Sequence, residues 1–168
     1  MATKASFDIG PVQRAIILAG GLAIGTVSAI AVARGLSGMA PAAPQLKEAA
    51  VIVHLSAALP AIPLGLHVLL TRKGTAMHKA LGKLWILLML TAALSALAIR
   101  DINHGAFSWI HLFVPLAVIT IVRGIAAARA GRIAAHKRNM VGLYIGALLI
   151  PGIFTFVPGR LMWVWLFG

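Results

Sequence analysis

The chain has 168 residues, of which 61% are hydrophobic and 11% charged, with a net charge of +12 and no cysteine. A soluble domain carries about 25% charged residues, so the composition excludes an ordinary soluble globule and points to an all-α integral membrane protein. The lack of cysteine excludes disulfides, iron–sulfur clusters, thiolate metal sites and covalently attached c-type haem.

Five membrane spans are predicted in one domain covering 1–168. Water is absent from the bilayer core, so each span must satisfy its own backbone polar groups as a helix. The apolar runs are also too long and continuous for barrel strands of about 10 residues. The first span covers Pro11 to Ala33, with proline suited to the first helical turn. It exceeds the apolar core of a cleaved signal peptide and is expected to stay as an anchor, despite the small residues at Ala31 and Ala33. The second covers Glu48 to Leu70, the third Ala76 to Ile99, the fourth Ala106 to Arg129 and the fifth Ile133 to Phe156. Each approaches the ~20 residues that cross the hydrocarbon. The tail 157–168 is too short to cross, and its Trp163 and Trp165 suit an interfacial anchor.

The positive charge sits at the ends of spans, which argues for lipid head groups and against nucleic acid. Arg72, Lys73, Lys79 and Lys83 flank one loop; Arg129, Arg132, Lys137 and Arg138 flank another. With the N-terminus inside, eleven lysines and arginines are cytoplasmic and Arg34, Lys47, Arg100 and Arg160 lie outside. The predicted location is a bacterial inner membrane, multi-pass, N-in and C-out.

The last four spans read as two repeated hairpins, 48–99 and 106–156. Each begins with His-Leu, at His54 and His111, and each returns through a basic loop to His-Lys, at His78 and His136. An aromatic follows in each, Trp85 and Tyr144. Two such hairpins predict an up-down four-helix bundle with the first span outside it. His54 and His111 then share an outer depth, and His78 and His136 a cytoplasmic depth, each pair on diagonal helices. The small residues Ala50, Ala57, Ala58, Ala61 and Gly65 share the face of His54 and suit close helix packing.

Paired imidazoles on facing helices are the requirement of bis-histidine haem b, and two layers would carry electrons across the membrane. Arg123 could then meet a haem propionate or snorkel to the interface. Architecturally this is similar to the transmembrane ascorbate-dependent cytochromes b. An alternative is copper or zinc held by His54, His104 and His111 outside, or by His67, His78 and His136 inside, as in a protein that handles copper or haem during oxidase assembly. A third reading has no cofactor: the histidines bond to neighbouring helices, and the chain is an accessory, carrier or structural subunit. The partners expected are the lipid bilayer and respiratory or other membrane-complex subunits, with no nucleic acid. Nothing in the sequence fixes the oligomeric state. The acids Asp8, Glu48 and Asp101 all fall at span ends, which argues against a carboxylate proton relay.

The stretches "HKALGKLW", "IRDINHGAFSWIHL", "HKRNMVGLY" and "FTFVPGR" resemble a bacterial membrane family known as domain-of-unknown-function family 2306, over about residues 50 to 162. The resemblance implies several membrane helices and no particular activity. It singles out His54, His78, His111, His136 and Arg160 as positions to test.

Overall fold

The computed structural model describes residues 9–100, 103 and 105–168. Among them the regular structure is helical, with no strand. Four helices are long and apolar enough to cross a membrane: α1 (Pro11–Leu36), α2 (Ala49–Leu70), α3 (Ala76–Ala96), and α4 (Phe113–Arg129) with the 3-10 turn Trp109–Leu112 that leads into it. The predicted fifth span is helical from Ile133 to Phe154 but not uniform. Helix α5 (Ile133–Tyr144) runs into a π-helical turn, Ile145–Leu149, and then into α6 (Ile150–Phe154). Pro151 supplies the reason for the break. It has no N–H for the carbonyl of Ala147, so the regular ladder cannot continue through it. A short helix, α7 (Leu161–Phe167), ends the chain.

Helix α2 packs chiefly on α3, and α4 chiefly on α5. Helix α3 also meets α4, and α2 meets α5 and the π turn, which closes the ring. Helix α1 lies against α2, the π turn and α7. Both hairpin turns use a glycine in left-handed backbone, Gly74 at φ 81° and Gly131 at φ 68°. Each lies twenty residues after its hairpin's leading histidine, where a side chain would be strained.

The waist of the bundle is dry and aromatic. Trp85 of α3 and Tyr144 of α5 are both 0% exposed, and their ring centroids are 6.2 Å apart. The indole Nε1 of Trp85 donates to the carbonyl of Ala61 at 3.1 Å, and the Tyr144 hydroxyl to that of Ile62 at 3.1 Å. Both rings rest on α2 because Gly65 has no side chain: a Cβ there would meet the Trp85 Nε1 at 2.6 Å and the Tyr144 ring at 2.7 Å. The small-residue face of α2 thus acts as a packing surface, with Ala57, Ala61 and Gly65 all buried.

The tail packs back on the first helix. Trp165 is 3% exposed and packs in a second cluster with Ala31 and Met162. Its indole lies where a side chain on Gly35 would stand, and Arg34 Nε donates to its carbonyl at 3.0 Å. Trp163 is half-buried and stacks on Phe167, with centroids 4.4 Å apart. Helix α7 is therefore folded down onto α1, because an apolar face 26 residues long is there to receive it.

Candidate functional site

A cavity of about 540 Å³ opens between α1, α2, α3, α4, α6 and α7, within the range of about 300–1,000 Å³ usual for small-molecule sites. Its deep wall includes Ile62, Met89 and Ala117, which belong to the main core. The π turn and Pro151 shape another side through Ala147, Leu148, Pro151 and Gly152. Six residues in its lining have polar side chains: Ser28, Gln45, His54, His111, Thr155 and Arg160. None of the lining residues is acidic.

His54 and His111 are 57 residues apart in sequence and line this one cavity. Their ring nitrogens are committed differently. His54 Nδ1 lies 2.9 Å from the Ala92 carbonyl of α3. A carbonyl only accepts, so Nδ1 carries the proton and Nε2 keeps its lone pair. This is the arrangement of a ligating histidine, oriented by a backbone carbonyl on its far nitrogen.

His111 is 7% exposed and has both nitrogens engaged. Its Nδ1 accepts from the Ser108 backbone N–H at 3.0 Å, while its Nε2 lies 3.2 Å from the Ile99 carbonyl and donates to it. Ser108 and His111 form a reciprocal capping box at the entry to α4, with histidine in the place usually held by glutamate or glutamine. Phe107 meets the His111 ring edge-on at 5.0 Å, and Arg100 lies 4.2 Å over the Phe107 ring. As placed, both His111 ring nitrogens are engaged, so an axial bond to a haem would require this cap to open. His104, the further outer histidine expected as a metal ligand, lies outside the described residues.

At the other end, His136 Nδ1 donates to the Gly124 carbonyl of α4 at 3.0 Å. His78 is near enough to His136 and Lys73 to interact electrostatically with both. Its Nδ1 is buried with no hydrogen-bond partner among the described residues. The expected inner set of His67, His78 and His136 does not assemble. His67 is exposed and joins His78 in lining a small pocket of about 210 Å³, without His136. Among the described residues no group of three or more histidines and carboxylates is placed to hold a metal ion. The Nδ1 bonds of His54 and His136 each tie two helices together, and His67 lies apart from His136.

Arg123 does not reach the cavity that His54 lines. It is exposed on α4 and belongs to the lining of neither cavity. The cation that does line this cavity is Arg160, between α6 and α7, half-buried. Burial pushes its guanidinium below the ordinary arginine value, although arginine stays charged at that level. Ser28 and Gln45 are lining residues that the sequence reading missed. The His111 cap is the one feature with a legible signal, a serine three residues before a polar side chain at the head of an apolar run.

A family model described as Predicted membrane protein (DUF2306) matches residues 51–163. The matched segment contains His54, His111 and Arg160 and leaves out α1. No curated protein matches the chain, and neither does any solved structure.

Proposed function

This chain belongs to the predicted membrane protein family DUF2306, and from that premise we propose that it is a five-span, ligand-binding membrane protein whose site is the outer cavity. The observation that carries the reading is the sharing of one mostly apolar cavity by His54 and His111, with His54 Nε2 uncommitted. The fifth span is the run of α5, π turn and α6. The distribution of lysine and arginine supports N-in, C-out insertion in a bacterial inner membrane. A reporter enzyme fused after Gly168 should then be active only on the outer side.

Haem b is the ligand the histidine spacing favours, and His54 is the residue suited to hold it. Haem would supply a one-electron carrier. His111 would orient the head of α4 and close the wall, and the apolar lining would exclude water. The test is the absorption spectrum of protein purified after expression with adequate haem, oxidised and dithionite-reduced. A Soret band lost in His54→Ala and kept in His78→Ala supports haem in the outer cavity. No Soret band removes haem and leaves the cavity for a colourless apolar ligand. Metal analysis of the same sample tests copper and zinc.

A further inference from the structure

The lining of the outer cavity is asymmetric in charge. Arg160 is half-buried in it, and among the described residues its guanidinium has no hydrogen-bond or carboxylate partner. A cation partly withdrawn from water and left unpaired is unfavourable, and evolution or folding normally supplies an anion. No lining residue can do so. The polar groups are also not spread evenly. Arg160, Thr155 and Gln45 come from the connections between helices, while Ile62, Met89 and Ala117 at the deep wall are part of the main core. We propose that the cavity receives an anionic amphiphile, an apolar chain bearing a carboxylate or phosphate head, with the head on Arg160 and the chain against the core wall. The inference rests on the reading of the cavity as a ligand site and names the occupant where haem does not fill it. The planar guanidinium fork matches both head groups bidentately. His54 Nε2, accepting through a water, is the second polar contact available within the same lining.

The test uses the full chain in phosphatidylcholine nanodiscs, with doxyl-labelled stearic acid and its methyl ester as probes read by electron paramagnetic resonance. The acid should give a motionally restricted component that saturates about tenfold tighter than the ester, the factor expected of one charge-assisted hydrogen bond. Arg160→Gln should reduce the acid to the level of the ester, and Arg160→Lys should restore part of the difference. Arg129→Gln, at the opposite end of the bundle, should leave the acid unchanged. Displacement of the acid by added phosphatidylglycerol would make a phosphate-headed membrane lipid the occupant; no displacement would make it a free carboxylate. Acid and ester bound equally by the wild type, or an unaltered acid affinity in Arg160→Gln, would overturn the anionic head while leaving the cavity reading intact. Absence of a restricted component for either probe would remove the cavity reading as well.

Discussion

The two ends of the bundle, outer and cytoplasmic in the proposed orientation, each carry a pair of histidines, His54 with His111 and His78 with His136, yet their surroundings differ. At the outer end the helices part around a cavity of about 540 Å³, and the imidazoles of His54 and His111 form part of its wall. At the cytoplasmic end the adjoining pocket is about 210 Å³, and the histidines in its lining are His67 and His78. His54 and His136 make the same bond, Nδ1 to a carbonyl of the neighbouring helix, at 2.9 and 3.0 Å. What separates a candidate ligand from a helix tie is therefore the space beyond the ring. That space is set by residues far along the chain: the π turn before Pro151 opens the outer end, whereas Gly124 lets Met140 close on α4 at the inner end.

The aromatic waist divides the two ends, so breaking it should abolish the contrast. Trp85→Ala should cost about 3–5 kcal/mol in stability, and both ends should lose structure together. Equilibrium unfolding in mixed detergent micelles checks this. Loss of one end alone would show that the ends fold separately. Gly65→Ala acts at the same point by overpacking, at about 1–3 kcal/mol.

His111 is the sharpest probe of the outer end. His111→Ala should cost about 1–2 kcal/mol, because it removes a helix cap and the bond to Ile99. His111→Gln should recover most of that, since glutamine serves at the same place in a capping box. If His111 were instead a cofactor ligand, the glutamine variant would be stable and would still lose the cofactor signal. A thermal melt and an absorption spectrum of the two variants separate these outcomes.

The smaller effects lie at the inner end. His136→Ala should cost about 1 kcal/mol, the worth of one interhelical hydrogen bond. His78→Leu should cost no more than about 1 kcal/mol, the worth of the imidazole's one bond to the Val68 backbone. A large loss on His78→Leu would mean that this imidazole has a role the cytoplasmic end does not display.

Much of the architecture was legible from composition and periodicity. Predicted starts at Pro11, Ala76 and Ile133 coincide with the observed ones, and the start of α2 differs by one residue. These boundaries are local, set by apolar length, proline and the basic turns. The start of α4 was placed at Ala106 and lies at Phe113 after a 3-10 turn at Trp109, because Ser108 and His111 cap the chain there. The burial of Trp165 against Gly35 was not legible either, as it depends on two segments about 130 residues apart.

For the site, the sequence found the histidines and could not distribute their nitrogens. Residue type and depth follow from spacing along one helix, which is a property of the chain alone. Whether an imidazole caps a turn, ties two helices or faces a void depends on which carbonyl lies within 3 Å of each nitrogen. The same holds for the cation of the cavity. Arg123 and Arg160 are equivalent as residues near a span end, and only the fold turns one to the surface and the other into the cavity wall. The sequence by itself determined a helical membrane chain with its charge at the span ends, because desolvation of the backbone leaves no other arrangement. The tertiary structure decided where the bundle is dry and where it is open, because packing at a glycine, a proline or a π turn is settled by neighbours that arrive from elsewhere in the chain.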